Sequence, residues 1–104
     1  MVKDRLLTEI KHRLASIYGE RLRGVFLYGS EARGEALEES DIDVMIVLNG
    51  PVQLMKEPKR SIDAVYPLTL ETGRPIHPDP VDVSDFEAAE FAFYRNVKVE
   101  GRPL

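Results

Sequence analysis

The chain contains no cysteine. That excludes a disulfide framework, thiolate metal ligands and a cysteine nucleophile, and it fits a reducing compartment. Long apolar runs are also missing: nothing approaches the roughly 18 residues that a membrane span requires. The first residues, Met1-Val2-Lys3-Asp4-Arg5, lead into a charged amphipathic segment and not into the apolar core of a leader peptide. The expected location is therefore the cytoplasm, with no membrane partner. Basic charge is in short supply, with 14 Lys and Arg against 18 Asp and Glu and a net charge of −4. A nonspecific nucleic-acid binder usually carries the opposite sign, and nothing in the chain is suited to reading base edges, so direct DNA recognition is not expected. A nucleotide polyanion would need local help from metal ions or a helix N-terminus. Repeats, low-complexity tracts and linkers are absent.

What is present is a globular composition, 43% apolar and 31% charged over 104 residues. It suits one domain, 1–104, with a modest core. Residues 3–18 have helical periodicity, with Leu6, Ile10, Leu14 and Ile17 in one stripe, Leu7 and Tyr18 beside it, and Gly19 as a stop. Gly24-Val25-Phe26-Leu27-Tyr28-Gly29 reads as a buried strand. A polar stretch, 30–40, has room for one helical turn and a loop. A second strand follows over 41–48, and Asn49-Gly50-Pro51 turns the chain. Residues 53–72 predict a helix with Pro58 near its start and Gly73 as its C-cap; Leu54, Ile62, Val65, Leu68 and Thr69 form its stripe. Pro67 predicts a kink or break. With prolines at 75, 78 and 80, a strand over 74–83 must be short or lie at an edge, its paired part centred on Val81-Asp82-Val83. Ser84-Asp85-Phe86-Glu87 is a capping box that opens a helix over about 85–95, with Phe86, Ala89, Phe93 and Val97 on its apolar face. Residues 96–99 suit helix or strand equally, and Gly101 ends the segment. This order is an α/β or α+β layer in which helices cover a small sheet.

The chemistry gathers around the two strong strands. Gly29 closes the first and lets the backbone approach a ligand. If Ser30 opens a helical turn, free N–H groups and the serine hydroxyl point to an anion. Asp41 and Asp43 head the second strand. Because a strand has a period of two, both carboxylates point to one side, with Cα atoms about 6.5 Å apart. They can share one divalent ion, or a pair about 3.5–4 Å apart, and hard oxygen ligands suit Mg²⁺. The rest of the strand, Ile42 to Leu48, is apolar on both faces, so acid at its mouth is costly unless it is used. His77 reads as a loop histidine, since Mg²⁺ disfavours imidazole. Arg33 faces either phosphates or the nearby Glu35, Glu38 and Glu39.

Gly29-Ser30-Glu31-Ala32-Arg33-Gly34 followed by Ser40-Asp41-Ile42-Asp43 resembles the signature of the DNA polymerase β-like nucleotidyltransferase superfamily. The match is to its minimal, MNT-type members. The resemblance implies a small mixed sheet with helices packed mainly on one face. It implies that Gly29, Ser30 and Arg33 meet the triphosphate of ATP or another nucleoside triphosphate, and that Asp41 and Asp43 hold two Mg²⁺ ions. It assigns the third catalytic and metal-binding carboxylate to Asp82, with Asp79 in reserve and Glu71 behind it. The implied activity is transfer of a nucleoside monophosphate, AMP foremost, to an acceptor hydroxyl. Phe93 to Gly101 resembles the tail of a subgroup encoded beside HEPN-domain proteins, which implies a HEPN-type toxin partner, with an antitoxin that acts by binding alone as the rival reading. A homo-oligomer is the other partner considered.

Overall fold

The computed structural model describes residues 3–29, 32, 34, 40–53, 55–89 and 91–104. Helix α1 spans Lys3–Tyr18 and passes through a short 3₁₀ turn, Gly19–Arg21, into strand β1, Leu22–Tyr28. Strand β2, Ile42–Leu48, is followed by helix α2, Glu57–Thr72, and strand β3, Ile76–Asp82. Two short helices, α3 (Val83–Ala88) and α4 (Ala92–Glu100), precede a final two-residue strand β4, Arg102–Pro103.

The four strands form one mixed sheet in the order β3-β2-β1-β4. β1 runs antiparallel to β2 and β4, while β2 and β3 are parallel, joined through α2 as parallel neighbours require. The central β2 is apolar throughout because both of its faces are covered. Ile42, Val44, Ile46 and Leu48 point to one side, where Leu6, Leu7, Ile10, Leu14 and Tyr18 of α1 and Val65 and Leu68 of α2 seal them. Met45 and Val47 point to the other, against Val81, Phe86 and Val97 from β3, α3 and α4. The two long helices thus lie on one face, and the two short ones cover part of the opposite face. Each large apolar side chain buried here contributes about 1.5–3 kcal/mol.

Several local features differ from the sequence reading. On α1 the stripe is rotated: Leu7 and Tyr18 are buried while Ile17 is 36% exposed. On α2 the buried line is Glu57, Ser61, Val65 and Leu68, and Ile62 is exposed. Ser61 is tolerated inside because its hydroxyl donates to the Glu57 and Pro58 carbonyls, at 3.0 Å each. Leu54 lies outside the described residues. Pro67 does not end α2, which continues to Thr72. Pro67 and Asp63 are both exposed, so water can serve the carbonyl that the proline leaves unpaired. Gly73, at φ 75°, caps α2 by donating to the Thr69 carbonyl.

β3 is an edge strand, as its prolines require, but it is paired along its full length from Ile76 to Asp82. Pro78 and Pro80 are two residues apart, so their missing N–H groups share the open side. The following helix starts earlier than the capping box predicts. Its N-cap is Asp82, whose carboxylate accepts from the Ser84 N–H at 2.9 Å and the Ser84 hydroxyl at 2.7 Å. Ala89, left-handed at φ 50°, then breaks the predicted single helix into α3 and α4. Residues 96–99 are helical, and Gly101 caps α4 against the Val97 carbonyl.

Candidate active site

The mouths of β2 and β3 stand side by side, and the parallel register decides which acidic groups meet there. Asp43 is level with His77, Met45 with Asp79, and Leu48 with Asp82. Asp43, Met45 and Val47 share one face of β2, and His77, Asp79 and Val81 share the same face of β3. Asp79 is therefore the diagonal neighbour of Asp43, about 8 Å away at Cα by strand spacing and rise. Asp82 is not. It stands five residues beyond the level of Asp43, about 17 Å away by the same geometry, and its alternation turns it to the opposite face. There it caps α3 and fills the space beside Gly50, where a side chain on residue 50 would meet its carboxylate. Of the two aspartates in the proline-rich strand, the reserve Asp79 and not Asp82 adjoins the aspartate pair. Glu71 is exposed in the last turn of α2.

Gly29 belongs to this cluster. It adopts φ 71°, and a Cβ there would stand 2.6 Å from Asp43 Oδ2. Glycine is needed both for the left-handed backbone and for the close approach to the carboxylate. Ser30 and Arg33 lie outside the described residues.

His77, read from sequence as a loop histidine, sits within β3, and its Nε2 is 2.9 Å from Asp41 Oδ2. Arg74, also unforeseen, donates through Nε and a terminal nitrogen to the Ser40 carbonyl, at 3.2 and 2.8 Å, which fixes the chain just before Asp41. Tyr28, the last residue of β1, is the antiparallel partner of Asp43. Pairing the two predicted strands as a hairpin about Gly29 and Asp41 would have located it.

Among the described residues, burial is the leading influence on Asp43 and Asp79 at this mouth. Burial raises the pKa of Asp43, His77 lowers it and Asp41 raises it. Burial alone raises that of Asp79. Tyr28 is pushed up to about 12, first by burial and then by the charges of Asp79 and Asp43. Among the described residues none gives Asp43 or Asp79 a hydrogen bond or ion pair. No three His, Asp or Glu side chains among them close around one point. What the described residues offer a metal is a pair of hard oxygen donors, Asp41 and Asp43, with Asp79 beside it. That donor set fits Mg²⁺.

Comparison with known proteins shows the family and the fold. The nucleotidyltransferase domain family matches residues 7–104. A Methanocaldococcus jannaschii protein named "putative protein adenylyltransferase" is 35% identical over 105 residues, spanning 100% of this chain and 99% of that protein. A second protein of the same name and organism is 37% identical over 54 residues, 52% of this chain and 54% of its own length. Among solved structures, a toxin–antitoxin complex with AMP-PNP superposes with a TM-score of 0.61 at 16% identity, over 98% of this chain and 72% of that one. A "putative nucleotidyltransferase" from Sulfolobus solfataricus gives 0.56 at 21% identity, over 95% and 76%. These two share the fold. Among the described residues no helix is long and apolar enough to cross a membrane. With the family matched over nearly the whole chain and a full-length relative above 30% identity, the chain belongs to the nucleotidyltransferase domain family and is a nucleotidyltransferase.

Proposed function

We propose that this protein transfers AMP from ATP to a hydroxyl on a protein acceptor, at the joint mouth of β2 and β3. The observation that carries the reading is the placement of Asp43 and Asp79 on one face of adjacent strands, with no hydrogen bond or ion pair to either among the described residues and with Gly29 pressed against Asp43. Asp41 and Asp43 would hold Mg²⁺, which when bound supplies the positive charge that the α-phosphate and leaving pyrophosphate need. Gly29, with Ser30 and Arg33 from the adjoining segment, meets the triphosphate. Asp79, whose pKa burial raises, takes the proton of the acceptor hydroxyl. The acceptor oxygen forms a bond to the α-phosphorus, the bond to the bridging oxygen breaks, and pyrophosphate leaves. Arg74 and His77 are positioning residues that hold Asp41 in place.

Protein as acceptor class is supported by the name of the full-length archaeal relative. The toxin–antitoxin complex that shares the fold supports a toxin partner, and we take it to be of the HEPN type. In that setting the chain is an antitoxin of the cytoplasm that modifies its partner. Calorimetric titration of ATP with Mg²⁺ tests the site. Wild type should bind, and the Asp41→Asn/Asp43→Asn double variant should not. Asp79→Asn should bind ATP yet fail to transfer AMP. If that variant turns over at the wild-type rate, the assigned base is wrong. If wild type binds no nucleotide, the rival reading of an antitoxin acting by binding alone stands in its place.

A further inference from the structure

Half of the chain's eight Phe and Tyr rings lie in one group beside the carboxylates. Tyr28 shares its level in the sheet with Asp43. The ring of Phe93, on α4, meets Tyr28 nearly at right angles with centroids 5.2 Å apart. Tyr94 lies 5.7 Å from Phe93, and Phe91 lies 5.9 Å from Tyr94. The outer rings are open to solvent: Phe91 is 67% exposed and Phe93 42%. The only buried residue of α4 is Val97. The aromatic side of this helix is thus not sunk in the core. Tyr28 and Tyr94 rest against the core cluster of Met45, Val81, Phe86 and Val97, and from them the ring contacts run outward to Phe93 and Phe91 in water. Isolated exposed apolar residues are ordinary, but a contiguous patch marks a binding surface.

We propose that Phe93, backed by Tyr28 and Tyr94, is the stacking platform for the base of the nucleoside triphosphate. The inference rests on the nucleotide reading above and adds to it the residue that holds the base. Its occupant follows from continuity. Asp41 and Asp43 place the phosphates, a ribose separates phosphate from base, and one ring step beyond Tyr28 lies the solvent-exposed ring of Phe93. The edge-on contact with Tyr28 and the tilted contact with Tyr94 fix the Phe93 ring before ligand arrives, so little side-chain freedom is lost on stacking. A platform of this kind is sequence-tolerant, because every base has a π-face.

The absence of tryptophan makes the test direct. In Phe93→Trp the new indole is the sole tryptophan, and its emission should change on titration with ATP and Mg²⁺ but not with tripolyphosphate and Mg²⁺. In parallel, calorimetry should find that Phe93→Ala and Phe93→Leu each weaken ATP binding about tenfold or more, while tripolyphosphate binds each as it binds wild type. The leucine variant keeps apolar bulk and removes only the π-face, and circular dichroism verifies that both variants are folded. If ATP binds all three forms alike, or if ATP and tripolyphosphate weaken together, the platform is overturned and the phosphate site stands. If wild type binds neither ligand, the nucleotide reading falls and the platform with it.

Discussion

The two ends of the β2–β3 pair carry acidic groups of opposite fate. At the far end, Asp82 is satisfied by the N–H and hydroxyl of Ser84, which hold its carboxyl below the usual range. Nearby, the buried Glu57 has Arg21 at 2.7 Å and Arg60 at 3.6 Å. The Arg21 contact is a close ion pair whose angle is poor for a hydrogen bond, which leaves Glu57 Oε2 without one. At the mouth, Asp43 and Asp79 are partly buried, raised in pKa, and served by no donor among the described residues. The same residue type is structural where the chain completes its charge and available for chemistry where it does not. The far-end cations Arg21, Lys56 and Arg60 also line a cleft of about 410 Å³, but there Glu57 already uses two of them.

That contrast can be broken by exchanging the fates. The largest effect is expected from Asp41→Asn/Asp43→Asn, which should abolish Mg²⁺-dependent ATP binding in calorimetry, whereas Asp82→Asn should leave it intact and lower only the thermal midpoint. Next, Asp79→Asn should reduce AMP transfer on the order of 10²–10⁴-fold, the worth of a general base, with little change in nucleotide affinity. If Asp82→Asn and not Asp79→Asn lost turnover, the contrast would be inverted.

Arg21→Met should cost about 2 kcal/mol in denaturant unfolding. That is less than breaking a fully buried pair, because the Arg21 side chain is 36% exposed and Arg60 remains. Nucleotide binding should not change. Gly29→Ala at the mouth should cost about 1–2 kcal/mol from its left-handed backbone and should also weaken ATP binding, since the added methyl pushes on Asp43.

The smallest effect concerns pH. A carboxyl whose folded pKa lies above its unfolded value opposes folding once it is ionised, and that opposition fades as pH falls through the raised folded pKa. Asp79→Asn should therefore raise the metal-free thermal midpoint at neutral pH. The advantage over wild type should shrink as the solution is acidified into the carboxylate range. A constant advantage across pH would mean that charge is not its cause.

Much of this was legible in the residues. The alternation of Ile42, Val44, Ile46 and Leu48 with Met45 and Val47 marks a strand covered on both faces, and β2 is such a strand. Gly73 and Gly101 end the helices that they were expected to end. The prolines of 75–80 sent β3 to an edge. Less legible were features that no apolar periodicity signals. Ser61 is buried on α2 because its hydroxyl finds carbonyls within its own turn. The capping box at Ser84 lost to Asp82, two residues earlier, whose carboxylate accepts from the Ser84 N–H. β4, two residues long, exists only because β1 offers it an edge.

By itself the sequence determined that Asp41 and Asp43 stand two residues apart at the mouth of β2, Asp43 inside the strand and Asp41 just before it. It also determined that glycine stands at 29, where the backbone turns left-handed against acid. Only the tertiary structure decided which aspartate of β3 joins them. That choice depends on the register between two strands separated by a helix, and a slip of one residue would carry every side chain of β3 to the other face. The pairing of Met45 with Asp79 and of Leu48 with Asp82 is non-local. It is set by how α2 and the core seat the edge strand, and no window of sequence contains it.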